Sequence, residues 1–333
     1  MGSEEFAEVN RRRNPAYQKD ERSEGFLEGL NRNLYEREKA EYQDHPIEHP
    51  FIFVVGAPRS GTTLLTQVIG HGLDVSYIDN LAARFFLAPL HGMRFSRSVF
   101  GKEKRTDFRS DRAATYDLAD IHEFGYFWRE WLNKKRFDDI TYSKEREAGI
   151  EREGLRKVLA SMQCEAGRGM VFKNIFGSYH MPLLKELLDK VLFIHIRREE
   201  MDTALSILKA RKEYQRDLRD WWSYQPLEYE ALKERDPYEQ IAGQVHCLRR
   251  FYKRELSTLP EEAVLEVEHE TLCKSPSSEL ERIRRKVEMA GGSRLSTERD
   301  LPESFSYRHY EGMEEEKDRF RAAFDKIRTE FPL

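Results

Sequence analysis

Cysteine is scarce in this chain: Cys164, Cys247 and Cys273 are the only three among 333 residues. They are odd in number, scattered and without metal-ligand spacing, so they read as reduced thiols rather than a disulfide scaffold. No cluster with metal-ligand spacing appears elsewhere, and no metal is expected. No apolar run approaches the ~20 residues of a membrane span, and the N-terminus is charged rather than signal-like. The expectation is a cytoplasmic protein with no membrane partner. An excess of charge is missing too: Lys and Arg number 56 against 60 Asp and Glu, a formal charge of −4. Nothing global argues for nucleic acid, so an anionic ligand must be held by local basic groups.

What the chain does have is a strand, a glycine loop and a helix. Phe51-Ile52-Phe53-Val54-Val55 is continuously apolar and partly β-branched, the pattern of a strand buried on both faces of a parallel sheet. It stops at Gly56-Ala57-Pro58-Arg59-Ser60-Gly61-Thr62-Thr63, after which Leu64, Leu65, Val68 and Ile69 give a helical stripe. Such an arrangement points loop amides and the positive end of a helix at one spot, which suits a phosphate. Thr62 stands where the usual nucleoside-triphosphate loop has Lys, and the cation sits earlier, as Arg59. A guanidinium there suits the oxygens of a 5′-phosphate or the group attached to it.

Pro-Arg-Ser-Gly-Thr-Thr straight after an apolar strand resembles the 5′-phosphosulfate loop of sulfotransferases that use 3′-phosphoadenosine 5′-phosphosulfate (PAPS). A second segment agrees. The strand Val191–Ile196 delivers Arg198, and Ser206 follows eight residues later on the next helix. An arginine at a strand end and a hydroxyl in the helix beyond can converge on one phosphate. Arg198 through Ser206 resembles the 3′-phosphate segment of the same family, with Asp202 and Ala204 also in place. The resemblance implies that Arg59, Ser60, Gly61, Thr62 and Thr63 bind the 5′ end of PAPS, and Arg198 and Ser206 its 3′-phosphate. The two cationic corners would grip opposite ends of one nucleotide. Lys173, ending the strand Met170–Phe172, is implied near the acceptor or the bridging oxygen. Glu270 and Leu272, after a strand at Val264–Val267, are similar to the C-terminal half of bacterial and carbohydrate-type members.

The expected fold is α/β, a P-loop-type three-layer architecture with a central parallel sheet flanked by helices. Residues 1–48 read as a polar arm whose Arg11-Arg12-Arg13 run is solvated. Residues 49–333 read as one domain, with insertions at about 80–150 and 210–260. A strand over Leu73–Ile78 would place Asp79 at the carboxyl edge of the sheet, making it the first candidate for a general base. Glu123 and His122 are the reserves, with His180 behind them. The aromatic stretch Tyr116–Leu132 is either core or acceptor pocket, and Trp221–Tyr238 either a cap or ordinary packing. Tyr307-Arg308-His309-Tyr310 is a candidate nucleotide contact. The basic run Arg94–Arg112 reads as an irregular loop, either solvated or steering an anionic substrate.

The implied reaction moves a sulfuryl group from PAPS to a hydroxyl or amine of a small-molecule or carbohydrate acceptor and releases adenosine 3′,5′-bisphosphate. Two rivals stay open: a P-loop kinase-like nucleotide enzyme, and a non-catalytic nucleotide-binding module.

Overall fold

Apolar runs too short for helices supply the centre of a sheet, and amphipathic segments between them supply its two covering layers. The structure, a computed structural model, describes residues 3–101, 108, 117–134, 142–291, 295–296 and 299–333. In chain order the first half forms α1 (Ser3–Arg11), α2 (Glu21–Glu38), β1 (Phe51–Val55), α3 (Thr62–Gly72), β2 (Val75–Tyr77), α4 (Pro89–Phe100), α5 (Gly125–Trp131), α6 (Lys144–Ala148) and α7 (Arg152–Ala166). The second half forms β3 (Gly169–Lys173), α8 (Met181–Leu187), β4 (Val191–Arg197), α9 (Glu200–Tyr214), α10 (Tyr229–Leu232), α11 (Pro237–Ser257), β5 (Val264–Glu268), α12 (His269–Lys274), α13 (Pro276–Met289) and α14 (Glu314–Glu330).

The strands pair in the order β2-β3-β1-β4-β5, every pair parallel. Residues of β1 alternate between the two faces. Phe53 stacks with Phe172 and Phe193 on one face, at ring separations of 5.7 and 5.6 Å, and the buried Trp128 of α5 packs on Phe53 edge-on. Ile52 and Val54 point to the other face, among Leu65, Val68 and Ile69 of α3 and Ile283 of α13. A third apolar cluster joins α9, α11 and α14. The expected three-layer fold is therefore present. Because all five strands run the same way, their carboxyl ends share one edge. β1, which sits between β3 and β4, marks the switch point where open α/β sheets hold ligands.

Some local expectations need correcting. The second strand is shorter than Leu73–Ile78, forming only Val75–Tyr77. Arg94 and Arg97 lie on α4 rather than in a loop. Leu90 and Met93 are buried at helical spacing, and the carboxylate of Glu38 accepts from the Leu90 and His91 amides at 2.8 Å each. A buried anion at a helix start satisfies donors and opposes the helix dipole. Arg94 then pairs with Glu41 and Glu165, and Arg97 with Glu165. Lys102, Lys104, Arg105, Arg109 and Arg112 lie outside the described residues. The arm is also more engaged than its polarity suggests: Asn31 donates to the Arg84 carbonyl and accepts from the Leu87 amide.

Candidate active site

The loop after β1 is shaped by what its glycines allow. A Cβ on Gly56 would meet the Ile196 carbonyl oxygen at 2.7 Å, so only glycine lets β1 and β4 close up here. Gly61 has φ +100° and forms the N-cap of α3. A Cβ there would lie 2.1 Å from the His269 ring. Because the cap is a glycine, no side chain caps α3, and the first-turn amides keep their donor capacity for a ligand. Ser60 does not reach outward; its hydroxyl donates to the Ala57 carbonyl at 2.8 Å and tightens the turn. Arg59 also lies in left-handed backbone space, φ 68°, a conformation non-glycine residues adopt at a cost when a functional loop requires it.

The two sequence anchors meet. Arg59 Nε donates to Ser206 Oγ at 3.0 Å, and Arg198 Nη1 donates to the Arg59 carbonyl at 3.3 Å. Desolvation first, then the repulsion of Arg198 and Arg308, lowers the Arg59 pKa, so this corner gains from an anion. Arg198 Nε is buried with no hydrogen-bond partner among the described residues, and an anionic oxygen is the group that would satisfy it.

One expectation changes here. The two guanidiniums do not line a single cavity: Arg59 lines a space of about 300 Å³ shared with Lys173, while Arg198 lines one of about 440 Å³ with Arg249 and Tyr307. The C-terminal segment explains the separation. Arg198 Nη2 donates to the Arg308 carbonyl at 2.6 Å, and the Tyr307 and Tyr310 rings sit 5.4 and 5.9 Å from its guanidinium carbon. Tyr307 in turn donates to Asp202 at 3.0 Å. The candidate segment Tyr307–Tyr310 thus reaches the Arg198 corner and occupies one of its donors.

On the other side of Arg59, β3 delivers Lys173 into the crevice. Its ammonium is buried, donates to Thr63 Oγ1 at 3.2 Å and forms an ion pair with Glu123. The Glu123 side chain is 41% exposed. Asn174, missed as a site residue, holds this arrangement. Its side-chain amide donates to the Glu123 carbonyl at 2.8 Å, while its oxygen accepts from the Phe176 amide at 2.7 Å. Tyr214, Trp222 and Tyr224 complete the wall, so the Trp221–Tyr238 segment does line the crevice. Tyr214 sits at the end of α9, and no local motif marked it.

The candidate bases separate clearly. Asp79 is fully buried, and its carboxylate accepts from the Ala82 amide at 2.7 Å and from the Ser96 hydroxyl. It lines neither of the two crevice cavities, because its hydrogen bonds to Ala82 and Ser96 turn the side chain inward, while the next residue, Asn80, lines the larger one. His122 lines the neighbouring cavity of about 720 Å³, which also contains Glu123 and Lys173. Its Nδ1 accepts from the Phe124 amide at 2.8 Å, which leaves the proton on Nε2. The His122 side chain is exposed at the cavity surface, yet desolvation by the surrounding walls, opposed by Glu123 and reinforced by Lys19, Lys173 and Arg84, lowers its pKa to about 4. A neutral ring with Nδ1 engaged donates from Nε2 and does not accept a proton there. His180 is buried and pairs with Glu147, away from the crevice. Of the candidate bases, Glu123 is the carboxylate that lines both cavities, next to Lys173.

Comparison with known proteins agrees with this geometry. The model of the sulfotransferase family matches residues 50–290. The crystal structure of sulfotransferase STF9 from Mycobacterium avium is similar at 14% identity and a TM-score of 0.51, over 99% of this chain and 80% of that one. That likeness shows the fold. Sulfotransferase STF1 from Mycobacterium tuberculosis H37Rv is similar at 13% identity and a TM-score of 0.47, over 92% of this chain and 84% of that one. No curated protein matches. With the glycine loop, Lys173 and the Arg198 strand all inside the matched residues, this chain belongs to the sulfotransferase family.

Proposed function

We propose that the protein transfers a sulfuryl group from PAPS to a hydroxyl or amine of a small-molecule or carbohydrate acceptor, releasing adenosine 3′,5′-bisphosphate. The observation that carries this reading is the meeting of Arg59, Ser206 and Arg198 at the uncapped start of α3, with Arg198 Nε buried and without a partner among the described residues. Gly61, Thr62 and Thr63 would hold the 5′ end through backbone and hydroxyl donors, with Ser60 keeping the turn closed. Arg198 and Ser206 would hold the 3′-phosphate once the Arg308 carbonyl gives way.

PAPS supplies the activated sulfuryl group; this chain supplies position and charge. Arg59 and Lys173 face the place where negative charge grows during transfer, and fixed cations there lower the barrier without reorganising. The reading gives that work to guanidinium and ammonium groups and assigns none to a metal. Glu123 is the general base: it is a carboxylate that lines both crevice cavities, with the Lys173 ammonium beside it. His122 orients the acceptor by donating from Nε2. Residues 49–333 act as the catalytic unit in a cytoplasmic setting, and the 1–48 arm closes the acceptor side.

Two measurements test this. Adenosine 3′,5′-bisphosphate at a hundred times its dissociation constant should stabilise the fold by about 2.7 kcal/mol. ATP with magnesium should do much less. Transfer of label from PAPS to an acceptor should then be lost in Glu123→Gln. Preference for ATP with magnesium would favour the kinase-like rival, and bisphosphate binding without turnover on any acceptor would favour a binding module.

A further inference from the structure

The larger of the two cavities that share Glu123 and Lys173 has an uneven charge. Among the described residues lining it, Arg13, Lys19, Arg84, Arg129 and Lys173 face only two carboxylates, Glu24 and Glu123. The remaining wall is largely apolar, including Phe86, Ile121 and the ring of Tyr126. From this we infer that the natural acceptor is itself an anion: an apolar or aromatic body carrying a carboxylate or a phosphate, bound by Arg13, Lys19 and Arg84 while its hydroxyl or amine faces Glu123. This rests on the reading of Glu123 and Lys173 as the reacting end.

The three cations come from three places in the chain, an isolated β-bridge at Arg13, the segment before α2 at Lys19 and a short 3-10 helix ending at Arg84, each with its backbone held. The Arg13 carbonyl accepts from the side chains of Gln18 and Arg216. Lys19 exchanges two hydrogen bonds of 2.9 Å with the Asn10 side chain. The Arg84 carbonyl accepts from Asn31 at 2.7 Å. Preorganised donors lose little freedom on binding, which is what a recognition site needs. Lys19 donates to the Tyr126 hydroxyl and pairs with Glu24 at 3.3 Å, and the Tyr126 hydroxyl in turn donates to Glu24.

The electrostatics point the same way. Desolvation lowers the pKa of both Arg13 and Lys19, and for Lys19 the repulsion of Arg13 and Arg84 adds to it while Glu24 opposes it. Cations enclosed together at such a cost are stabilised by a ligand of opposite charge. A bidentate oxyanion suits the guanidiniums, and the cavity's 720 Å³ is in the range that encloses a small organic molecule. An amine-bearing body would instead meet the same charge as repulsion.

The test is binding, which needs no turnover. With adenosine 3′,5′-bisphosphate saturating, calorimetry compares four para-substituted phenols that differ in the tail: 4-ethylphenol, tyramine, 3-(4-hydroxyphenyl)propionate and 2-(4-hydroxyphenyl)ethyl phosphate. The propionate or the phosphate should bind at least tenfold more tightly than 4-ethylphenol, with tyramine weakest. Whichever anion leads identifies the source of the charge. Arg84→Gln and Lys19→Gln should each bring the anion-to-neutral ratio toward one, with bisphosphate affinity as the control for folding. Equal binding of neutral and anionic phenols, tighter binding of tyramine, or no binding of any of the four overturns the inference. If the anion preference is present but adenosine 3′,5′-bisphosphate does not bind, the donor assignment fails while the anionic pocket stands.

Discussion

The two ends of the crevice hold positive charge in different ways. At the loop end, Arg59 and Arg198 are tied to each other's neighbourhood by short contacts: one donates to Ser206, the other to the Arg59 carbonyl. Everything there hangs from the carboxyl ends of β1 and β4, adjacent strands of a buried sheet. At the other end, Arg13 and Lys19 come from the arm and Arg84 from the turn after β2, and hydrogen bonds within the arm and from the arm to that turn bring them together. The sheet fixes the first corner; the second depends on the arm docking correctly. Substitutions at the loop end should therefore damage binding and transfer together, while those around Arg13, Lys19 and Arg84 should change what is bound.

The largest effect is expected where the two ends touch. Glu123→Gln should reduce kcat by about 10²–10⁴-fold, the usual contribution of a general base, with adenosine 3′,5′-bisphosphate affinity nearly unchanged. Asp79→Asn should do the reverse. It disturbs a buried carboxylate that serves Ala82 and Ser96, costing about 1–3 kcal/mol of stability while the folded enzyme keeps its kcat. Steady-state kinetics beside denaturant titration separates them. Loss of kcat in Asp79→Asn with normal stability would return the base to Asp79.

Gly61→Ala sharpens the contrast at the loop end. It places a Cβ 2.1 Å from the His269 ring at φ +100°. A loss of roughly 2–4 kcal/mol in stability is expected from clash and strain together. Adding His269→Ala should recover the clash but not the backbone strain, so the double variant should melt between Gly61→Ala and the wild type.

His269 also gives the loop end a pH dependence. Desolvation, with Arg198 nearby, pushes its pKa down to about 4 from an ordinary value near 6.5. The unfolded chain then binds the proton more readily, so stability is fully present above pH 6.5 and falls as pH drops toward 4. The part due to this ring is at most about 3 kcal/mol. Other buried histidines with lowered values, His180 and His195, add in the same direction. Melting temperatures across this window should show a shallower slope in His269→Gln. An unchanged slope would mean that the ring is not held neutral by the fold.

The smallest effect concerns the segment that covers Arg198. Tyr307→Phe removes the hydroxyl bound to Asp202, which should loosen the segment and tighten bisphosphate binding by a few-fold. Weaker binding would make Tyr307 a ligand contact instead of a tether.

Legibility in the sequence followed the same division. β1, the glycine loop and α3 could be read directly, because a continuous apolar strand, two glycines and a helical stripe are all local signals. The Arg198 to Ser206 spacing could be read for the same reason. Asp79 misled because a carboxylate just past a strand was assumed to follow the sheet edge, whereas two short hydrogen bonds turn it inward. Arg94 and Arg97 misled because charge density hid the buried Leu90 and Met93 of α4. Asn174 and Tyr214 carried no local signal: their roles arise from tertiary contacts with Glu123 and with the Trp222 wall. The arm's contribution to the cavity lined by Glu123 and Lys173 could not be read from a polar, weakly helical stretch, since it depends on the long-range bonds of Asn31 to Arg84 and Leu87.

The most direct test of the central claim is a calorimetric comparison of adenosine 3′,5′-bisphosphate with adenosine 5′-monophosphate, on the wild type and on Arg198→Ala. If Arg59 and Arg198 serve opposite ends of one nucleotide, the wild type prefers the bisphosphate by at least a hundredfold and Arg198→Ala loses most of that preference, with little change for the monophosphate. Equal affinities in the wild type, or a preference that survives the loss of Arg198, would contradict the account.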